Sequence, residues 1–268
     1  SFWRADRHGM LESPASAAIQ RKRNEQKRVA RVLILQHAWE CPPATLGEIL
    51  DQFALPYDTI DVEKAPLPAL TAYDAIIALG GPQHVYDTET HPYFVQEQAF
   101  IRSAVEQDIP FLGVCLGGQL LASALGGIVS HHTVPEVGFY DVQFTEAGQQ
   151  DPLFRDMPGY EKVFHWHEDA FELPAGSIWL ATNEMARNQA FRYGHRAYGL
   201  QYHIELNSEL FDLWLERPEF KQEIIATVGI DAYTNIQRER VIYYQTYYDH
   251  TFTLFANFLR ISGLIAAK

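Results

Sequence analysis

The stretch FLGVCLGGQLLASALGG, Phe111–Gly127, decides how this chain is read. Phe111–Val114 is a short apolar run that reads as a buried strand, and GQLLASAL, residues 118–125, reads as a helix. Cys115 falls on the turn between them, in a Gly-x-Cys-x-Gly frame. Gly113 and Gly117 lack a Cβ, so strand and helix can approach closely there. A residue on such a turn has a strained backbone and a side chain lifted above the sheet edge. The head of the helix supplies free N–H groups and positive potential, both of which favour a thiolate. The N–H of Leu116 is placed to bind a developing oxyanion. The frame by itself fits an α/β-hydrolase elbow equally well.

Upstream, short apolar runs alternate with helical periods. RVLILQ (31–36), YDTIDV (57–62) and YDAIIALGGPQ (73–83) read as strands. TLGEILDQFAL (45–55) and HPYFVQEQAFIRSAVEQD (91–108) read as helices. This alternation predicts an α/β domain with a mostly parallel central sheet, flanked by helices on both faces. Beyond Gly127, GFYDVQF, GSIWLAT, NQAFRY and AYGLQYH read as short strands, a small antiparallel extension that returns to the main sheet. From Asn207 the chain reads as helical. Val241, Tyr244, Tyr248, Phe252, Phe255 and Leu259 make one apolar-aromatic stripe. That stripe suits packing on the domain's own sheet, a subunit interface such as a homodimer, or a cap near the site.

A nucleophilic thiol needs a base, and the base needs an orienting group. GLQYHIEL (199–206) reads as a strand ending at His203, with Glu205 two residues on and therefore on the same face. The order Cys…His-x-Glu differs from that of α/β-hydrolases, where the acid precedes the histidine. ALGGPQ (78–83) ends the neighbouring strand in a glycine turn, and parallel strands deliver such turns to one sheet edge.

Composition bounds the rest. The chain has 268 residues, 47% of them hydrophobic, enough for one large domain or two small ones and for a sizeable core. A net charge of −13 argues against a general nucleic-acid binder. No apolar run is long enough to span a membrane, and the first 30 residues lack the apolar stretch of a signal peptide. Those residues, basic through Arg21, Lys22, Arg23, Lys27 and Arg28, read as a solvated, flexible leader. Two cysteines, Cys41 and Cys115, read as free thiols in a reducing, cytoplasmic setting.

Together these residues resemble the class I glutamine amidotransferases with their Cys-His-Glu triad, over about Arg31 to Leu215. The resemblance implies a flavodoxin-like three-layer fold over 31–216, with a helical extension from 217 to 268. GVCLGGQLLASALGG is similar to the family's nucleophile motif, LGGPQ to its oxyanion strand, and QYHIE to its Gln-Phe-His-Pro-Glu segment. By that resemblance Cys115 is the nucleophile, His203 and Glu205 complete the triad, and Gly81 joins Leu116 in the oxyanion hole. VFHWHEDAFELPAG resembles the family's His-x-Asp segment at His167 and Asp169. VPEVGFYDVQFT resembles the segment lining the glutamine pocket, around Glu136 and Gly138. Gln119, Glu136, Gly138 and His167 are thus expected to hold the glutamyl moiety, with no cofactor and no metal. LPALTAYDAIIALGGP and NQAFRYG look most like stand-alone, GMP-synthase-like members. Ile204 stands where the family has proline, a departure that removes no catalytic group. No Ser-Gly-Gly-type pyrophosphate loop is present in these residues. Three roles stay open: a self-contained hydrolase of glutamine or another γ-glutamyl amide, a glutaminase subunit feeding a separate synthase, or an idle regulatory relative.

Overall fold

The computed structural model describes residues 28–268 and, before them, a pair of two-residue antiparallel strands, Arg4–Ala5 with Leu11–Glu12. The rest of the leader expected over 1–30, up to residue 27, lies outside the described residues. From Arg31 onward the chain forms one unit.

Its strands are β1 (Val32–Gln36), β2 (Tyr57–Asp61), β3 (Ala75–Ala78), β4 (Phe111–Val114), β5 (Val129–Phe144), β6 (Tyr160–Phe171), β7 (Ile178–Thr182), β8 (Ala190–Tyr193) and β9 (Ala197–Leu200). All nine belong to one sheet, in the order β2-β1-β3-β4-β9-β8-β7-β5-β6. The first five are parallel neighbours and the remaining pairings are antiparallel. The α/β class with a mostly parallel core and an antiparallel extension is therefore as expected. Strands β3, β4 and β9 are buried along their whole length, because helices cover both faces and leave no room for a polar one.

The helices are α1 (Thr45–Gln52), α2 (Tyr93–Glu106), α3 (Leu116–Ala124), α4 (Glu146–Gln150), α5 (Ser208–Glu216), α6 (Pro218–Val228) and α7 (Ile230–Ile261). On one face, Phe94 and Ile101 of α2 pack with Leu120 and Leu121 of α3. On the other, Leu46, Ile49 and Leu50 of α1 share a core with Leu254, Phe255, Phe258 and Leu259 of α7. Burying Phe255 and Phe258 fully contributes about 2–3 kcal/mol each.

Two elements differ from the sequence reading. Residues 160–171 were not expected as a strand, yet β6 pairs with β5 over most of its length. One face is buried at every second position, but it carries Glu161, Val163, His165, His167, Asp169 and Phe171, and Phe164 is buried on the other face. A buried face that is two-thirds polar hides the period-2 signal from an apolar pattern. The stripe on α7 is also turned. Val241 is 84% exposed, and the inward face runs through Tyr233, Ile236, Tyr247, Thr251, Leu254 and Phe258. Tyr247 and Thr251 face inward because their hydroxyls meet the backbone of the 203–206 segment: the Tyr247 hydroxyl donates to His203 O (3.2 Å) and Thr251 Oγ1 to Ile204 O (2.6 Å). Of the three possibilities for this helix, packing on its own domain is what the described residues show.

One buried acid makes the fold sensitive to pH. Glu161 is fully buried and accepts only the Tyr202 hydroxyl, at 2.7 Å. Burial pushes its carboxyl up to about 8. Between 4.5, its ordinary value, and 8 the native state keeps a proton that the unfolded chain has released, so stability falls as pH rises. Glu161→Gln is expected to remove a penalty that reaches roughly 4 kcal/mol by pH 8. Denaturant melts at pH 5 and pH 8 check this: the gain should be large at pH 8 and small at pH 5, and an equal gain at both would contradict it.

Candidate active site

The register of the parallel strands brings three carboxyl ends together. Ala78 pairs with Gly113, Gly113 with Gly199, and Val114 with Leu200. The chain therefore leaves β3 into Gly80–Gly81, β4 into Cys115, and β9 into Gln201–Glu205 along one edge. Cys115 has φ 51° and ψ −108°, a region that costs a non-glycine residue about 1–3 kcal/mol. It is held there by its N–H to Leu200 O (2.9 Å) and by Gln119 N–H to its carbonyl (3.0 Å). Ala44, at the head of α1, has nearly the same backbone and no reactive side chain, so the turn alone does not make a site. The close approach at the Cys115 turn depends on Gly117, where a Cβ would lie 2.0 Å from Ala78 O.

Strand β9 ends at Leu200, three residues earlier than the sequence suggested. His203 is fixed instead by an isolated bridge to Phe164, with His203 N–H to Phe164 O at 2.9 Å. Its Nδ1 lies 2.7 Å from Glu205 Oε1, and both residues are buried. The remaining Glu205 oxygen accepts the Ile204 N–H at 3.0 Å. A proline at 204 could not make that bond, so the family departure adds a donor to the carboxylate. Gly80 lies against both side chains: a Cβ there would be 2.8 Å from His203 Cε1 and 3.6 Å from Cys115 Cβ. Burial pushes the His203 imidazolium down, but the Glu205 carboxylate, the Cys115 sulfur and hydrogen bonds to both hold its pKa well above the ordinary value. The structure thus brings Cys115, His203 and Glu205 into one contact network.

The N–H groups of Gly81 and Leu116 donate to no backbone carbonyl among the described residues. A Cβ on Gly81 would stand 3.0 Å from Leu116 Cδ2, so the two residues face one space. That space opens into a polar cavity of about 130 Å³ whose walls include Cys115, Gln119, His167, Asp169 and Gln83. The Gln119 amide bridges Asp169 O and Gln201 Oε1, both at 3.3 Å, and Gln201 points its amide at Cys115 Sγ, 3.9 Å away. Asp169 ties the hairpin to the loop after β3 through His84 (2.6 Å) and Tyr86 (3.1 Å).

Glu136 and Gly138 do not line this cavity, which corrects the expectation placed on them. Glu136 is fully buried behind His167. It accepts amide donors from Asn183 (2.8 Å) and Gln189 (3.1 Å) and stands 3.3 Å from His167 Nε2. Gly138 packs towards Ile236 of α7. Burial pushes the Glu136 carboxyl up, but the His167 hydrogen bond, the two imidazoles and Asn183 hold it at about 2, and burial drives His165 down to about 3. Glu136, His165 and His167 are the one group among the described residues with ligand atoms close enough to share a metal, all within 4.8 Å. Both Glu136 oxygens are already engaged by amides, so the cluster reads as a support that sets the His167 ring.

The class I glutamine amidotransferase family model matches residues 52–221, well over half of the chain. The chain belongs to the class I glutamine amidotransferases. It is 31% identical over 196 residues to the glutamine amidotransferase-like protein YfeJ of Salmonella typhimurium, covering 72% of this chain and 81% of that one. It is 29% identical over 169 residues to the γ-glutamyl-L-1-hydroxyisopropylamide hydrolase of a Pseudomonas species, covering 60% and 56%. Its match to the GMP synthase of Bacillus subtilis, at 36% identity, takes in 49% of this chain but only 24% of that much longer enzyme. Among solved structures, a glutamine amidotransferase from Thermotoga maritima superposes with a TM-score of 0.77 at 28% identity, over 87% of this chain and 98% of that one. No helix among the described residues is long and apolar enough to cross a membrane, and both cysteines are buried and unpaired.

Sequence reasoning missed several wall residues. Gln201, which stands behind the wall against Gln119 and Cys115 Sγ, was in plain view two positions before His203. Trp166, Trp214, Phe220 and Glu223 carried no local signal, since they meet the site only through the packing of β6, α5 and α6.

Proposed function

We propose that this amidotransferase hydrolyses the γ-glutamyl amide bond of glutamine or of a substituted γ-glutamyl amine, through a glutamyl-thioester on Cys115. The Cys115 thiolate attacks the γ-carbonyl carbon, and the N–H groups of Gly81 and Leu116 stabilise the oxyanion. The C–N bond breaks as His203, held by Glu205, gives its proton to the departing amine. Water, deprotonated by His203, then opens the thioester, releasing glutamate and the free thiol. Gln119 and His167 take the glutamyl head in the polar cavity. The observation that carries this reading is the buried 2.7 Å pair of Glu205 and His203, with Gly80 lying against both the His203 ring and Cys115 Cβ. The relative named for hydrolysing a substituted γ-glutamyl amide supports the hydrolase.

The GMP synthase relatives favour a second reading, a glutaminase part that delivers ammonia to a separate synthase. Assaying the purified protein alone against glutamine, γ-glutamyl amines and γ-glutamyl peptides separates the two. Release of an amine or ammonia without a partner is the expected result. Inert protein that becomes active only with a co-purifying synthase would establish the second reading.

A further inference from the structure

A second cavity, of about 110 Å³, adjoins the polar one across Gly81, Pro82, Trp166 and Glu223. His203 lines it and Cys115 does not. That division has a chemical meaning. The acyl group stays on Cys115, while the amine leaves from the side of the group that protonates it. The cavity on the His203 side therefore receives whatever substituent the leaving nitrogen carries. Ammonia leaves it empty.

Its walls differ from those of the glutamyl cavity. Trp166, Trp214 and Phe220 form a connected aromatic surface: Trp166 meets Trp214 edge-on at 5.4 Å between ring centroids and Phe220 at 6.2 Å. Trp214 also stands edge-on to the His203 ring at 4.9 Å. The wall is anchored, since Trp214 Nε1 donates to Glu40 O at 2.8 Å. Glu40 and Glu223 supply the negative charge beside His203, and no Lys or Arg among the described residues lines the cavity. Two basic side chains that flank Phe220 in sequence are engaged with other groups. Arg217 pairs with Glu219 and lies over Trp39, and Lys221 lies over the Tyr233 ring. Burial and the like charges of Glu168 and Glu40 push the Glu223 carboxyl up, so this rim has negative charges facing one another. Aromatic faces flanked by carboxylates attract an alkylammonium group by cation–π and charge interactions together.

We infer that the cavity lined by Trp166, Trp214, Phe220, Glu40 and Glu223 is a leaving-amine subsite, and that the preferred substrates are γ-glutamyl amides of alkyl diamines, with the distal ammonium held by the two carboxylates. The inference rests on the hydrolase reading and adds the substrate class. The reaction consumes one water and releases glutamate and the free diamine. Phe220 and Glu223 both belong to α6, Trp166 to β6 and Trp214 to α5, while Glu40 lies in the segment between β1 and α1.

Three γ-glutamyl amides with tails of equal length test it: those of 1,4-diaminobutane (cationic), n-pentylamine (neutral) and 5-aminopentanoate (anionic), with glutamine as reference. The expected kcat/KM for the cationic tail is at least about tenfold above the neutral one, with the anionic tail lowest, and the gap narrows at high salt. Glu40→Gln and Glu223→Gln should each lower the cationic-to-neutral ratio several-fold, and the double variant should bring it near one. Turnover of all three tails at similar rates, or preference for the anionic one, overturns the subsite and leaves the hydrolase standing. No turnover of any γ-glutamyl compound overturns the hydrolase reading, and the subsite with it.

Discussion

Cys115→Ala is expected to remove turnover of every γ-glutamyl amide, by at least about 10⁴-fold, or some 5 kcal/mol of barrier. Alanine fills the same turn and keeps the oxyanion donors, but it offers no atom that can carry the acyl group. A substitute nucleophile is not at hand. Cys41, the other thiol, lies 6% exposed in the neighbouring cavity wall. Burial and the charges of Glu205, Glu40 and Cys115 push its thiol well above the ordinary value, so it stays protonated and weakly nucleophilic. Diazo-oxo-norleucine, a glutamine-like electrophile, should label Cys115 alone by mass spectrometry. A label on Cys41 would reassign the nucleophile. Circular dichroism of the alanine variant separates lost chemistry from lost fold.

How much of this was readable beforehand follows from what each residue's signal depends on. The Cys115 turn was legible because its cause is local: a continuous apolar strand, glycines where backbones touch, and a helix beginning at once. The parallel core was legible for the same reason, since strands buried on both faces advertise themselves as unbroken apolar runs. Strand β6 was not, because its inward face carries two histidines, a glutamate and an aspartate, which meet one another and the distant side chains of Glu136, Tyr202 and His84. Glu136 shows the opposite failure. Its motif pointed to the site, but the motif could not say whether the carboxylate faces substrate or stands one layer behind it. Only the amides of Asn183 and Gln189 decide that.

The extension after the family-like region had no legible purpose in the sequence, and the packing gives it two. Its first part, α6, walls the second cavity. Its long helix, α7, grips the backbone on either side of Ile204 through Tyr247 and Thr251, and Tyr247 also accepts the Leu206 N–H at 3.1 Å. The His-Ile-Glu segment is thereby fixed from outside, without the rigid φ that a proline would lend it.

That fixed segment makes the second large effect specific. His203→Ala should cost about 10³-fold or more, because in the proposed mechanism one ring both protonates the amine and activates the water. Glu205→Gln should cost less and carry a signature that misfolding cannot mimic. The Glu205 charge is the foremost influence holding the His203 imidazolium above its ordinary 6.5, against the opposing pull of burial. Removing it lowers the His203 pKa, so the alkaline limb of kcat/KM should move to lower pH. The same linkage reaches stability. A histidine whose folded pKa is raised adds stability that is complete below 6.5 and is lost as pH rises through the folded value. The stability lost in Glu205→Gln should therefore be greatest in the acid range and shrink as the solution turns alkaline. An alkaline limb that stays in place in Glu205→Gln would mean that the carboxylate does not set the histidine's charge. Near wild-type rates in His203→Ala would move the base elsewhere, with His167 the next group along the cavity wall.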